Sequence, residues 1–349
     1  MLTIFDYVKI HKDVSLDELP WNLMDNLVCA ILVYLPTVGF KNQSSILDIY
    51  EEVKDIDNPE KLGIVEPKAI EIAKLILDSK RYKDLEVSNF VKLKNKDTQF
   101  GAVTFRIKDV TVVSFQGTDY STIGWLENFR IVYQYPTYTQ KLAVEYLNNT
   151  LNLSKDNNVY VVGHSKGGNL AMTSVMECSD NIYNKIKRVY NFEGPGFRDK
   201  EYNSDKYKKM SEKLMSFVPN SSVVGILLNN KDYQVIKPTC MGFNGHFPIN
   251  WGIEGVTFIK SELSYVSNQL HKSTTIGFRD IEDKVIKEAV ENFFDALTED
   301  KIADIKVSLE NIIKVYNKLK SDNPKVFECL SAIFDSMVDA VRNGKHADI

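Results

Sequence analysis

The sequence places a serine inside a G-x-S-x-G pattern, with GHSKG at residues 163–167. A run of β-branched and aromatic residues at 159–162 comes directly before the pattern, and an apolar helical stretch follows it. A strand that turns this sharply into a helix leaves no room for side chains at the flanking positions, which favours glycine there. The turn also exposes the hydroxyl of the central residue. Ser165 is therefore predicted to be a nucleophile, and the alternative is an N-capping serine in a glycine-rich turn.

A serine hydroxyl is a good nucleophile only when a neighbouring base removes its proton, and histidine is the usual base. The chain has five histidines. His246 lies in a loop after the last strand candidates, which is where the base follows in folds that use this serine turn. His271 fits less well because it lies near a helical stretch. His246 is the predicted base, and the alternative is an ordinary surface-loop histidine.

Two carboxylates are candidates for the acid that orients the histidine. Glu193 ends a predicted strand and enters a Gly-Pro-Gly turn, which would present it at the same sheet edge as Ser165. Asp232 lies one strand later, just before the segment YQVIKP. We prefer Glu193 and keep Asp232 as the alternative acid. The alternative interpretation of either residue is a turn or capping carboxylate.

The oxyanion that forms during attack on a carbonyl needs backbone N–H donors. Lys166 would supply one directly after the serine. Thr118 would supply the second, together with its hydroxyl, because it follows a strand that ends at a glycine. A lysine in the first turn of a helix opposes the helix dipole. We therefore expect Lys166 to pair with Asp119 or Glu193, or to contact an anionic part of the substrate, and the alternative is a solvated side chain.

The elements that must hold these residues alternate between strand and helix patterns from about residue 100 onward. This alternation predicts an α/β fold of the α/β-hydrolase type, with a mostly parallel sheet flanked by helices. Strands are predicted at 100–107, 110–116, 159–162, 186–193, 213–219, 223–228 and 233–238, and helices at 123–134, 138–152 and 167–178.

Helical segments precede and follow this core. Residues 1–85 form an N-terminal helical segment with helices predicted at 15–35, where Ser15 is a plausible cap, and at 67–80. Residues 86–255 form the hydrolase core. Residues 256–349 form a C-terminal helical extension with three helices predicted at 283–297, 306–319 and 326–341. Either helical segment could act as a lid over the site, and the sequence leaves open which one does.

The bulk composition narrows the class of protein. The chain has 349 residues, 44% of them hydrophobic and 26% charged, with a net charge of only -4, so a sizeable core is expected and a nucleic-acid partner is not. Four scattered cysteines without metal-ligand spacing predict no metal site and no cofactor. The longest apolar run, 27–35, is about half of what a membrane span needs, and no signal peptide is recognisable. A cytoplasmic protein without a transmembrane segment is expected, with its oligomeric state left open.

Taken together, these segments resemble the Mbeg1-like proteins of bacteria, a family of α/β-hydrolases distantly similar to class 3 lipases. The resemblance spans roughly residues 1–255 and is weaker in the tail. The segments that carry it are 25–27 with 34–35, 117–119 with Trp125, 163–171, 193–197, and 222–225 with His246 and Trp251.

The resemblance implies a Ser-His-acid hydrolase. Cleavage of a small-molecule acyl ester through an acyl-enzyme is the leading interpretation, and lipid or phospholipid esters are favoured by the resemblance alone. Three departures stand out: Glu193 and Phe247 replace aspartates usual in the family, and Gln116 replaces an arginine frequent in class 3 lipases. An amidase, thioesterase or acyltransferase with the same triad, or an inactive hydrolase-fold binding scaffold, are the open alternatives.

Overall fold

The computed structural model describes residues 1–37, 43–58, 62–119, 121–152, 154–230, 233–240, 242–278, 281–297, 317, 319–328 and 331. The strands are β1 (Gln43–Ser45), β2 (Glu86–Lys94), β3 (Gln99–Ile107), β4 (Val110–Phe115), β5 (Val159–His164), β6 (Ile186–Phe192), β7 (Leu214–Pro219), β8 (Tyr233–Ile236), β9 (Ile253–Glu254) and β10 (Thr257–Phe258). The helices are α1 (Ile4–His11), α2 (Leu23–Leu32), α3 (Ile46–Val53), α4 (Glu66–Ile76), α5 (Thr122–Arg130), α6 (Tyr138–Leu151), α7 (Lys166–Met176), α8 (Asp180–Lys185), α9 (Asp199–Tyr202), α10 (Asp205–Ser211), α11 (Tyr265–Gly277) and α12 (Asp283–Leu297).

The first eight strands form one sheet whose spatial order follows the chain, from β1 to β8. Strands β1 to β4 pair antiparallel, and β4 to β8 pair parallel. In the parallel part, Phe115 pairs with Gly163 and His164 pairs with Phe192, so the carboxyl ends of β4, β5 and β6 lie side by side. Ligand sites of open α/β sheets form beyond this edge.

Helices cover both faces of the sheet because its central strands carry apolar side chains on both sides. Val112 and Val162 belong to the core formed with the N-terminal helices α1 to α4, whereas Val113 and Val161 belong to the core formed with α6 and α7. Neighbouring residues of a strand point to opposite faces, so an uninterrupted apolar run is buried twice. The sheet, its helical layers and the serine turn between β5 and α7 make up the α/β-hydrolase fold.

A third apolar cluster joins the C-terminal part of the chain to the core. Helix α12 packs against α5, with the rings of Phe129 and Phe294 at 5.4 Å between centroids. The first of the three predicted C-terminal helices is thus present as α12, and most of 306–319 and 326–341 lies outside the described residues.

Among the helices of the described ranges, none combines the length and apolar character that crossing a membrane requires.

Two predicted elements were wrong. The apolar run 223–228 forms buried turns instead of a strand, because the N–H groups of Val224 and Gly225 donate to the Glu193 carboxylate and not to a neighbouring strand. The helix predicted to begin at Ser15 begins at Leu23, since the Asn22 side chain accepts from the N–H of Met24 at 2.9 Å and caps it there.

Candidate active site

Ser165 lies in the turn between β5 and α7 with φ 56° and ψ −131°. Such a conformation costs a residue with a side chain about 1–3 kcal/mol, so the surroundings must impose it. A Cβ atom on Gly163 would lie 2.1 Å from the Gly167 oxygen, and one on Gly167 would lie 2.1 Å from the Phe115 oxygen. The Ser165 N–H is held by the Phe192 carbonyl at 2.9 Å. The strained turn that the GHSKG pattern predicts is therefore formed.

A cavity of about 40 Å³ opens beside Ser165 at the carboxyl ends of the central strands. Of the predicted site residues, Ser165, His246 and Thr118 all line it. The remaining lining residues come from the N-terminal helical segment, from α5, from the end of β5 and from the loops that follow β4, β7 and β8. They are Tyr34, Val65, Glu66, Asp119, Trp125, Asn128, His164, Val224 and Phe247.

His246 ends a short 3-10 helix, Gly242–His246, that follows β8. Its Nδ1 atom lies 3.7 Å from Oε1 of Glu193, and its side chain is 8% exposed. The indole N–H of Trp251 donates to the Gly245 carbonyl at 2.9 Å and anchors the loop directly before the histidine. The imidazole is thereby held between the cavity and a buried carboxylate, as a general base requires.

Glu193 directly follows β6 and is fully buried, with φ 58°. Its Oε1 atom accepts from the Ser222 hydroxyl at 2.7 Å, the Gly225 N–H at 3.1 Å and the Val224 N–H at 3.3 Å. Within the described ranges, its Oε2 atom has no hydrogen-bond partner. These donors fix the carboxylate beside the imidazole of His246. Asp232, the alternative acid, lies outside the described residues.

Replacing Glu193 by glutamine should lower kcat for ester hydrolysis by a factor on the order of 10³ to 10⁴, because the amide keeps the volume but loses the charge that stabilises an imidazolium. Steady-state kinetics of the purified variant measures the loss. Asp232→Asn is the matched control and is expected to retain nearly full kcat. A large loss in Asp232→Asn with little loss in Glu193→Gln would assign the acid to Asp232.

His164 contacts His246 from within the serine turn, with ring centroids 4.6 Å apart. Its Nδ1 atom lies 3.1 Å from the Tyr34 hydroxyl, and its Nε2 atom lies 3.0 Å from the His246 carbonyl oxygen. The Tyr34 hydroxyl already accepts from the Gly117 N–H at 3.0 Å, so its own hydrogen points to Nδ1. Nε2 of His164 must then carry the ring hydrogen and donate to His246. This chain of hydrogen bonds joins the loops after β4 and β5 to the base loop.

Burial, followed by the proximity of His246, lowers the pKa of His164 well below 6.5. The unfolded chain therefore takes up a proton at this residue below pH 6.5 while the folded chain does not, and stability is lost as the pH falls. Chemical denaturation at pH 5 and pH 7.5 should show a steeper loss for wild type than for His164→Gln, with one proton contributing at most about 1.4 kcal/mol per pH unit. Equal losses in both proteins would contradict a neutral His164.

Thr118 lies in the loop after β4, which ends at Phe115, and its hydroxyl is buried without a partner in the part of the chain described. The preceding Gly117 is fixed on both sides. Its N–H donates to the Tyr34 hydroxyl, and its carbonyl accepts from the Gln99 amide at 3.2 Å. The arrangement leaves the Thr118 hydroxyl available as a donor to an atom inside the cavity, as an oxyanion site needs.

The expectations for the Lys166 side chain were wrong. It is fully buried, and its ammonium group donates to the main-chain carbonyl of Gln99 at 2.6 Å and to the Gln99 side-chain oxygen. It therefore pairs with neither Asp119 nor Glu193 and is not solvated. It also does not line the cavity, which excludes a direct contact with an anionic substrate in this conformation. Burial lowers the pKa of Lys166 to about 8.

Three residues of the site were missed from the sequence. Tyr34 belongs to a segment that resembles the family and could have been selected for that reason, whereas nothing in the sequence singles out Gln99 or Glu66. Glu66 lies at the start of α4 and lines the cavity, and burial raises its pKa to about 7.

In the described ranges, no group of three or more histidines, cysteines or carboxylates is arranged to hold a metal ion.

Comparison with known proteins places the chain in a family. A mutant form of MDLA from Penicillium cyclopium is similar in structure, with 15% identity, a TM-score of 0.40 and coverage of 68% of this chain and 85% of that one. The Rhizomucor miehei lipase propeptide complex is similar with 14% identity, a TM-score of 0.36 and coverage of 62% and 69%. No curated protein matches the sequence. The Mbeg1-like family model matches residues 76–298, more than half of the chain, which therefore belongs to the Mbeg1-like family.

Proposed function

We propose that the protein is a serine hydrolase that cleaves carboxylic esters with a Ser165–His246–Glu193 triad. The observation that carries the proposal is the strained conformation of Ser165 at the end of β5, in a cavity that His246 and Thr118 also line. Glycine adopts a φ of 56° without strain, whereas serine does not, so a serine at this position gives the fold no structural advantage over glycine. Strain of this kind is characteristic of catalytic positions.

In the proposed reaction, His246 takes the proton of the Ser165 hydroxyl as its oxygen attacks the ester carbonyl. The N–H groups of Lys166 and Thr118, with the Thr118 hydroxyl, stabilise the oxyanion. His246 then protonates the leaving alcohol, and an acyl-enzyme remains on Ser165. Water, deprotonated by the same histidine, attacks the acyl group, and the proton returns to Ser165 as the carboxylic acid leaves.

The lining of the cavity favours neutral acyl esters over anionic ones. Its acidic side chains are Glu66, which is partly ionised at neutral pH because burial raises its pKa to about 7, and Asp119, whereas the Lys166 ammonium group is turned away to Gln99. A further negative charge close to these acids in a partly dry cavity, with no cation turned toward it from Lys166, is disfavoured. A neutral ester, of the kind found in acylglycerols, suits this site better than an ester whose phosphate would approach Ser165.

The cavity has room for about three water molecules, because one water needs roughly 10–15 Å³ on the same measure. An acyl chain therefore enters only after a lining segment moves. Val65 and Glu66 come from the 1–85 segment, and Trp125 and Asn128 come from α5, whereas the lining includes no described residue beyond 255. We propose that the N-terminal segment together with α5 controls entry to the site.

A matched substrate panel tests the reaction class. The oxygen ester, thioester and anilide of one acyl group are compared, followed by esters of graded chain length with and without a phosphate in the alcohol. Neutral oxygen esters are expected to be turned over fastest. Faster thioester or anilide cleavage would support the alternative enzymes, and neither turnover nor acyl-enzyme formation with any substrate would support a binding scaffold.

A further inference from the structure

Lys166 is a buried cation that the proposed reaction uses only through its backbone. Its side chain is fully buried, and its ammonium group donates twice to Gln99, a residue 67 positions away at the start of β3. Burying an ammonium group costs several kcal/mol unless strong partners compensate it. A lysine is therefore a costly choice directly after the nucleophile, and an apolar residue would pack there at less cost.

The contact with Lys166 fixes the orientation of the Gln99 side chain. An ammonium group can only donate hydrogen bonds, so the amide oxygen of Gln99 must face Lys166. The amide nitrogen then faces the other way and donates to the carbonyl of Gly117 at 3.2 Å. Gln99 is 3% exposed, so water does not compete for these positions.

The bond to the Gly117 carbonyl also fixes the direction of the Thr118 N–H. The peptide between Gly117 and Thr118 is trans, and in a trans peptide the carbonyl and the N–H point in opposite directions. With the carbonyl held by Gln99, the N–H points away from Gln99. Thr118 lines the cavity beside Ser165 and Gln99 does not, so an N–H that points away from Gln99 can face the cavity.

Two nearby carboxylates balance the buried charge without competing for the ammonium group. Glu127 on α5 is paired with Arg130 at 2.6 Å, and Asp119 is paired with Lys94 at 3.0 Å. Both carboxylates favour the charged form of Lys166, whose pKa burial lowers. The ammonium group is left to bind Gln99.

We infer that Lys166 and Gln99 are positioning residues, which hold the Gly117–Thr118 peptide so that its N–H faces the oxyanion. The inference rests on the proposed hydrolase function and deepens it, because it assigns a role to two side chains that do not line the cavity. The residues that shape the site would then extend from the serine turn to Gln99, the first residue of β3.

Two substitutions separate this role from a structural one. Gln99→Glu keeps a partner for Lys166 but cannot donate to the Gly117 carbonyl, and Lys166→Met removes the ammonium group without changing the length of the side chain greatly. Both should lower kcat for a neutral ester by about 10- to 100-fold with KM nearly unchanged, because a misdirected oxyanion donor affects the transition state alone. Thr104→Val, on the same strand β3 as Gln99, is the control: it removes a buried hydroxyl contact with Tyr146 of α6 and should leave kcat unchanged.

A crystal structure of Gln99→Glu supplies a second readout that needs no activity. We expect the Gly117–Thr118 peptide to be rotated, with the Thr118 N–H directed out of the cavity. An unchanged peptide, or kcat values of both folded variants within twofold of wild type, would overturn the inference. If wild type itself cleaves no ester, the proposed function fails while the rotation of this peptide still decides the positioning role.

Discussion

Replacing Ser165 by alanine is expected to lower kcat for ester hydrolysis by a factor on the order of 10⁴ to 10⁶, because no acyl-enzyme can form. KM should change little, since the hydroxyl contributes to bond formation and little to substrate binding. The substitution should not disturb the packing of the core, because Ser165 lines a cavity. The residue as a whole is 6% exposed. Initial rates at saturating substrate measure the loss directly.

Ser174→Ala is the matched control for this substitution. Ser174 lies on the same helix α7, is fully buried and donates to the Ala171 carbonyl at 2.9 Å, and it is not among the residues that line the cavity. Its replacement should leave kcat within about twofold. Retention of more than a few per cent of wild-type kcat by Ser165→Ala, with contamination excluded, would remove Ser165 from the mechanism.

The largest effect on stability is expected at a buried ion pair in the N-terminal segment. Arg81 and Asp25 are both fully buried, and the guanidinium donates to both carboxylate oxygens, through Nε at 2.8 Å and an Nη atom at 2.5 Å. The Tyr82 hydroxyl donates to the same carboxylate. Arg81→Leu should lower the free energy of unfolding by about 3–5 kcal/mol, since it leaves a buried charge without its partner. Urea denaturation measures the change.

A surface pair provides the control for that measurement. Lys108 and Asp17 are 2.7 Å apart with side chains 50% and 84% exposed, so Lys108→Ala should cost no more than about 1 kcal/mol. The double variant Asp25→Leu with Arg81→Leu should be less destabilised than Arg81→Leu alone, because no uncompensated charge remains. A loss below about 1 kcal/mol in Arg81→Leu would show that the pair is not the link that holds α2 to the segment following α4.

The serine turn was predictable from sequence because its determinants are contiguous: the apolar residues of β5, the glycines at 163 and 167 and the helix that follows. The Phe115 oxygen, which excludes a Cβ atom at Gly167, comes from a distant strand. The parallel sheet was predictable for a related reason, since runs such as Val110–Phe115 are apolar on both faces. Such local and periodic signals predict the fold and the position of the strained serine turn.

Long-range partners account for what the sequence did not reveal. Nothing near Lys166 indicates that its ammonium group binds Gln99 on another strand. The apolar run 223–228 has the composition of a strand, but its Val224 and Gly225 N–H groups are used by the Glu193 carboxylate. Ser15 does bond to Glu18 as a cap would, yet the chain passes through Pro20 before α2 begins. In the first two cases a tertiary contact overrides the local preference, and in the third the local cap at Asn22 sets the start of the helix.

In the proposed mechanism, the hydroxyl oxygen of Ser165 is the atom that becomes acylated. Incubation with a fluorophosphonate, followed by mass spectrometry of the digested protein, locates the adduct on a single peptide. The proposed triad predicts stoichiometric modification at Ser165 in wild type and none in Ser165→Ala. It also predicts markedly slower labelling of His246→Ala, which lacks the proposed base. Modification of a different residue, or an unlabelled wild type that still cleaves esters, would contradict the triad.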